Sequence, residues 1–479
     1  YPGFHCARFQ TRQGFQGRGQ QISRIHLARY GHNKDTNIVR ALICLRGYGP
    51  ISFHCAGLFH DIFYNRANSS RRLQNDSGVE LKNTGILKRF LKALAKYSLL
   101  YLYQGTFGLY LRLRYRLRFI VRTPLPAKGP FFLLGNHTNN LDGPFLQCFF
   151  LRPIHFVVTE GVFKNKLLGG LLKLVDYIPK RKSTNDIAAI RGIMNAVERG
   201  GIVGIFPEGG RSWDGVTGPI TPATFRLIGR LNIPVVAANI RGGYLSEPRW
   251  ADRKRRGRVE VHLETVIESG AHLSPEEIER RVTAALAHNE SDWQRSARIP
   301  FRGRALCRGI ERLMFLCPVC SALGSVVSAD DEAHCTACRA RFTLDVYGFL
   351  HSDGAPLPAD SMDGINAWQH RRIAEMLDET PHIPRIMADE GGILLCAPSR
   401  TEPFRRIDSG KAMLTRRQLI IGRYGFDLAG ITGINVYFKS HLEFQYQNAD
   451  YRIGFENPYV SAYKWQCVLE QAKKRISIE

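Results

Sequence analysis

A chain of 479 residues, 44% hydrophobic and 10% aromatic, is too long for one hydrophobic core and too apolar to be disordered throughout, so two or three globular domains are expected. Its net charge of +25 excludes an acidic solvating protein and favours a polyanionic partner, either an anionic membrane surface or nucleic acid. The charge is concentrated: residues 1–135 hold 22 Lys and Arg against four acids, and no acid occurs between Glu80 and Asp142.

Residues 1–80 are rich in Gly, Arg, Gln and His and show no sustained hydrophobic period, so an irregular or disordered basic extension is expected there. No run of 18 apolar residues predicts an unaided transmembrane helix. From residue 86 a pattern begins. Ile86, Leu87, Phe90, Leu91 and Leu94 share one helical face, with Lys88, Arg89, Lys92 and Lys96 on the other. Such a helix, running into the aromatic-rich segment 98–111, reads either as an interfacial membrane anchor or as an ordinary domain helix with a solvated basic face. Alternation over 111–120, with Arg112, Arg114, Arg116 and Arg118 on one side, predicts a strand.

The region 81–300 then alternates strand and helix. Candidate strands lie at 131–136, 155–159, 202–206, 234–240 and 259–266. Ile187, Ile190, Met194 and Val197 form a helical stripe stopped by Gly200 and Gly201, and Ser274, Pro275 and Glu277 open a last helix. The alternation predicts an α/β fold, a mostly parallel sheet flanked by helices, with functional residues just past the C-terminal ends of strands.

Two stretches carry chemistry. The first, 133–142, reads LLGNHTNNLD. Five helical positions would place His137 and Asp142 about 140° apart, so the two can meet only if Thr138, Asn139 and Asn140 form a turn. A carboxylate on one imidazole nitrogen would leave the other free to take a proton from a hydroxyl. The second stretch, 204–215, reads GIFPEGGRSWDG, where a buried strand ends and a carboxylate, two glycines and an arginine arrive together.

Taken together, these stretches resemble the glycerophospholipid acyltransferase superfamily, whose lysophosphatidate acyltransferase-like members acylate glycerol-3-phosphate or lysophospholipids. Asn136, His137 and Asp142 match its first motif, and Phe206, Pro207, Glu208, Gly209, Arg211 and Ser212 its third. Ile233, Pro234, Val235 and Val236 match the fourth, with Ala237 where a second proline is common. The resemblance implies His137 as general base oriented by Asp142, Glu208 and Gly209 at the acceptor, and Arg211 facing its phosphate. A second phosphate contact is expected from the stretch LVDYIPKRKS, with Arg181 the first choice and Lys180 and Lys182 as alternatives. Ser212 is no nucleophile candidate, because the G-x-S-x-G elbow is absent. The co-substrate implied is an acyl-CoA or acyl carrier protein thioester, and the setting the cytoplasmic face of a membrane, held peripherally or interfacially. A catalytically silent lipid-binding scaffold is the alternative. Nucleic acid is disfavoured, since no basic module of known type is present. The basic run at 253–258 reads as a solvated or lipid-facing loop.

Further on, Cys317, Cys320, Cys335 and Cys338 make two C-x-x-C pairs fourteen residues apart. The spacing resembles a zinc ribbon over 315–345, with a structural Zn2+ that braces the fold or presents a protein contact. Disulfides are the competing use, but scattered single cysteines elsewhere suit a reducing compartment better. Residues 362–479 predict a helix at 365–377, several short strands and a closing helix at 462–473, a pattern similar to a pleckstrin-homology-like domain.

Overall fold

The computed structural model describes residues 79–164, 166–180, 186–399 and 402–476. Nearly all of the basic extension, with Arg181 and Lys182, therefore lies outside the described residues. Helix α1 (Val79–Tyr103) passes through one wide π-type turn, Gln104–Gly108, into α2 (Leu109–Arg114). The strand expected over 111–120 is thus helix as far as Arg114, then a turn, and strand only from Arg118. Leu111 and Tyr115, four apart, are both buried, and Tyr115 meets the Phe145 ring edge-on at 5.1 Å, while Leu113 stays 69% exposed. Helical spacing serves that burial and strand alternation does not, so the period of two lost to tertiary packing.

Seven strands form the first sheet: β1 (Arg118–Val121), β2 (Phe131–Gly135), β3 (Ile154–Thr159), β4 (Ile178–Lys180), β5 (Ile202–Ile205), β6 (Val235–Arg241) and β7 (Glu260–Ile267). Their order is β1-β7-β6-β2-β5-β3-β4, and every pairing is parallel except that of β6 with β7. The central strand β2 is buried on both faces. Phe131 and Leu133 enter one core with Leu111, Phe145 and Phe156, while Phe132 and Leu134 enter another with Ile193, Phe225 and Val282. A continuous apolar run of this kind is what a parallel strand covered on both sides requires.

Around it lie α3 (Asp142–Gln147), α4 (Lys166–Leu174), α5 (Ile187–Glu198), α6 (Pro222–Leu231), α7 (Gly243–Ser246), α8 (Pro275–Leu286) and α9 (Glu290–Ala297). Side chains start several of them. Asp186 accepts from the Ala189 amide at 3.1 Å, Ser274 from Glu277 at 3.2 Å, and Asn289 from Ser291 at 2.8 Å, each satisfying an otherwise orphaned helix amide. Lys92 and Lys96 of α1 pair with Asp176 at 2.7 and 3.3 Å, and Tyr103 donates to the Pro144 carbonyl at 2.6 Å. The first helix is therefore tied directly to α3.

Strands β8 (Val326–Ala329), β9 (Glu332–Cys335), β10 (Arg341–Leu344) and β11 (Leu350–Ser352) make a small antiparallel sheet. After α10 (Met362–Glu379) come seven antiparallel strands: β12 (Arg385–Ala397), β13 (Arg405–Thr415), β14 (Gln418–Ile421), β15 (Tyr424–Asp427), β16 (Thr432–Tyr437), β17 (His441–Tyr446) and β18 (Ala449–Phe455). Their order is β15-β14-β13-β12-β18-β17-β16, and α11 (Ala462–Ile476) closes them with Trp465 and Leu469 fully enclosed. One hydrophobic core runs from the small sheet through this C-terminal sheet and takes in Trp213 and Trp250 of the α/β region.

In the basic run at 253–258, Arg253, Lys254 and Arg256 are exposed as expected, and Arg255 is the exception. Arg255 is buried, donates to the Leu306 carbonyl at 2.9 Å and lies 5.3 Å over the Trp250 ring. A guanidinium can stay charged in such a place because it is hydrogen-bonded and stacked on an aromatic face.

Candidate active site

Adjacent parallel strands bring the two motifs together. Strands β2 and β5 pair in register, Leu134 beside Ile205, so the loops leaving their C-terminal ends emerge side by side. Asn136 fixes the first loop to β6: its amide donates to the Ile240 carbonyl at 2.9 Å, and its carbonyl oxygen accepts from the Ile240 amide at 2.6 Å. The chain then turns as His137 and Asp142 require. Residues between them are non-helical, and α3 starts only at Asp142.

Asp142 Oδ2 lies 2.8 Å from His137 Nδ1. The same carboxylate accepts from the amides of Thr138 and Asn139 at 2.6 and 2.9 Å, and from the Thr138 hydroxyl at 2.9 Å. Four donors surround a side chain with no solvent exposure. They hold the carboxylate in its accepting form, so His137 Nδ1 carries the proton toward it and Nε2 is left as a base. The imidazole stacks on Phe206 at 4.6 Å, and Phe206 on Phe156 at 5.8 Å, which fixes the ring plane. Helix α7 presses on this loop where only glycine fits: a side-chain carbon at Gly243 would stand 2.2 Å from the Thr138 hydroxyl oxygen.

Glu208 joins the two loops. Its Oε1 accepts from the His137 amide and its Oε2 from the Gly218 amide, each at 2.7 Å. Burial pushes this carboxyl up to about 8, working against the two amides, which favour the ionised form. The geometry makes Glu208 a brace for His137 first. The Ser212 amide adds a second tie, donating to the His137 carbonyl at 2.9 Å. Gly209 sits at φ +75, a conformation glycine adopts without strain, whereas Gly210 has no such demand and open space around it.

Arg211 is half-buried in the same loop. Burial lowers its guanidinium below the usual range, and the nearby Glu247 and Asp142 charges pull it back. Glu247, not singled out in the sequence, accepts from the Asn140 amide group at 3.4 Å and pairs with Lys254 at 3.3 Å. Lys180, the described member of the second phosphate candidates, is exposed at the end of β4, with β5 and β3 between it and β2. Two clefts, of about 300 and 430 Å3, lie elsewhere, one beside Ile373 and Arg416 and the other beside Pro126 and Pro234.

Residues 116–241 match the acyltransferase family model. Over this segment the chain is similar to the acyltransferase domains of the glycerophospholipid acyltransferase superfamily. The segment encloses both loops of the site, from His137 and Asp142 to Glu208 and Arg211. The chain is 26% identical over 121 residues to a chloroplastic 1-acyl-sn-glycerol-3-phosphate acyltransferase, BAT2, of Brassica napus, covering 25% of this chain and 35% of that one. It is 29% identical over 119 residues to a 1-acyl-sn-glycerol-3-phosphate acyltransferase of Bacillus subtilis strain 168, covering 25% of this chain and 59% of that one. The chain thus spans about a third and about three-fifths of the lengths of these relatives. Among solved structures, the 1-acyl-sn-glycerophosphate acyltransferase PlsC of Thermotoga maritima aligns with a TM-score of 0.33 at 18% identity, over 49% of this chain and 91% of that one.

Outside this segment, the four cysteine sulfurs of Cys317, Cys320, Cys335 and Cys338 lie within 4.8 Å of one another. Cys317 and Cys338 approach to 3.7 Å, as do Cys320 and Cys335. A tetrahedron with Zn–S bonds of about 2.3 Å has edges of about 3.8 Å, so the sulfurs fit that ion. Backbone amides of Val319, Ala337 and Cys338 point at the sulfurs of Cys317 and Cys335 at 3.3 to 3.4 Å, which stabilises thiolates.

Proposed function

We propose that the chain transfers a fatty acyl group from a thioester to a hydroxyl of glycerol-3-phosphate or a lysophospholipid, with lysophosphatidate-type acceptors the nearest class. The observation that carries this reading is the single cluster in which Asp142 holds His137 Nδ1 while Glu208 holds the His137 backbone. In the reaction, His137 Nε2 takes the proton of the acceptor hydroxyl as its oxygen attacks the thioester carbonyl carbon. The C–O bond forms, the tetrahedral intermediate collapses, the C–S bond breaks, and the leaving thiolate recovers the proton from the imidazolium. Asp142 stabilises that imidazolium, and no covalent acyl-enzyme is needed. Arg211 would face the acceptor phosphate, with Arg181 as a second cation.

The domain would work at the cytoplasmic face of a membrane, held interfacially. Leu102, Leu109, Tyr110 and Leu113 of α1 and α2 are 62, 48, 53 and 69% exposed, beside the exposed Arg112 and Arg116. An apolar patch rimmed by cations suits the boundary of an anionic bilayer. No described helix is long and apolar enough to cross one. A Zn2+ bound by the four cysteines would brace the C-terminal part structurally, since all four ligands are used.

Acyl transfer from acyl-CoA and from acyl carrier protein, measured over glycerol-3-phosphate and several lysophospholipids, tests the assignment. Wild-type turnover abolished by His137→Ala is the expected result. Equal turnover in the variant would remove the base from the mechanism.

A further inference from the structure

The loop that carries Arg211 is not held by the α/β region alone. Arg249, in the turn after α7, donates from Nη1 to the Arg211 carbonyl at 2.8 Å. Its other donors reach into the C-terminal sheet: Nη2 to the Val436 carbonyl at 2.7 Å and Nε to the Phe438 carbonyl at 2.8 Å. The guanidinium plane lies 4.2 Å over the Trp213 ring. One planar fork thus joins the loop to the end of β16 and the turn that follows it, a task a lysine ammonium could not perform with the same geometry.

Independent contacts hold the far side of the loop. Trp213 is only 8% exposed and stacks on Tyr463 of α11 at 4.6 Å. The Tyr463 hydroxyl accepts from the Asn366 amide of α10 at 3.0 Å, and that amide also donates to Asp214 Oδ2 at 2.8 Å. Asp214 in turn organises the loop itself, accepting from the Ser212 hydroxyl and the Val216 amide, both at 3.1 Å. Residues 211 to 214 are therefore gripped by α10, α11 and the β16–β17 turn. Lys439 in that turn returns to the α/β region by pairing with Asp252.

We propose that Arg249 is a positioning residue for the acceptor's phosphate, pinning the Arg211 loop to the C-terminal sheet so that this module is an integral part of the acyltransferase site. The proposal rests on the reading of Arg211 as a phosphate contact. Without the fork, the Arg211 carbonyl loses its partner and the loop swings from one end only, with Trp213 still clasped at the other. Removing charge-assisted bonds of this kind corresponds to about tenfold to a hundredfold in binding. The loss would fall on phosphorylated acceptors and not on the thioester donor.

The experiment uses the full chain as Arg249→Met, with Arg249→Lys as the milder change that keeps charge and stack but not the fork. Circular dichroism and thermal melting establish that each variant is folded. Kinetics are measured with lysophosphatidate and with monoacylglycerol, and glycerol-3-phosphate binding is measured by calorimetry. Expected for Arg249→Met is a rise of about tenfold or more in KM for lysophosphatidate at nearly constant kcat, an unchanged donor KM, and a smaller change with monoacylglycerol. Arg249→Lys should fall between. Equal losses with both acceptors would mark a purely structural role and overturn the proposal, as would wild-type kinetics in Arg249→Met. If the wild type binds glycerol-3-phosphate but turns nothing over, the enzyme reading fails, and weaker binding in Arg249→Met alone still supports the positioning role. A wild type that neither binds glycerol-3-phosphate nor turns over lysophosphatidate overturns both.

Discussion

Asp142 holds His137 Nδ1 at 2.8 Å from a position without solvent exposure, while the histidine side chain keeps 25% of its surface open. Orientation comes from the buried partner and access from the exposed one. Asp142→Asn would replace an all-acceptor group by one whose amide hydrogens face the donors of Thr138 and Asn139. Expected is a loss of about a hundredfold to ten-thousandfold in kcat with little change in acceptor KM, read in steady-state kinetics. Melting should also show a loss of about 1–3 kcal/mol from the mismatched buried bonds.

Glu208 makes stability depend on pH in an unusual direction. Its folded carboxyl is raised to about 8 by burial, above the ordinary value of 4.5, so between those values the folded protein binds a proton that the unfolded chain has released. That contribution is fully present below pH 4.5 and is lost as pH rises through 8. Glu208→Gln, which stays neutral, should therefore flatten the decline across this window by about 2–4 kcal/mol. Denaturant unfolding of both proteins at several pH values checks the slope. Parallel curves would assign the titration elsewhere.

If the four cysteines hold Zn2+, elemental analysis should find about one ion per chain, and chelation should expose four reactive thiols. Trp213 shares a core with Phe315 and Cys335, so metal loss should also alter tryptophan emission and then reduce acyl transfer. Cys335→Ser is expected to do the same without chelator. An intact melting curve after metal removal would sink the bracing role.

For the exposed patch on α1 and α2, Leu102→Glu with Leu113→Glu should weaken co-sedimentation with phosphatidylserine vesicles. Full burial of an apolar side chain is worth about 1.5–3 kcal/mol, so the pair predicts a loss of a hundredfold or more. Raised salt should weaken wild-type binding too, through the arginines nearby. Undiminished vesicle binding by the double variant would move the membrane contact to another surface.

Much of the site was legible in the sequence because its parts are local. His137, Asp142 and the Pro-Glu-Gly turn each follow an apolar strand run, and turn-forming residues between histidine and aspartate imply that the two can meet. The helix at Leu109–Arg114 was misread because its alternation satisfies both periods, and only the buried Leu111–Tyr115 pair against Phe145 decides between them. Arg255 was misread for a related reason: a basic run looks solvated until Trp250 and the Leu306 carbonyl arrive from elsewhere in the fold.

The amino-acid order by itself determined which residues form the candidate site and on which strand ends they stand, since motif spacing and apolar periodicity are properties of short segments. Only the tertiary structure decided that Glu208 spends both oxygens on backbone amides, and that Arg249, Trp213 and Tyr463 tie the Arg211 loop to a sheet more than two hundred residues further along. Those contacts join segments remote in sequence. They form because a shared core and planar stacking bring the segments together, and no local pattern records either.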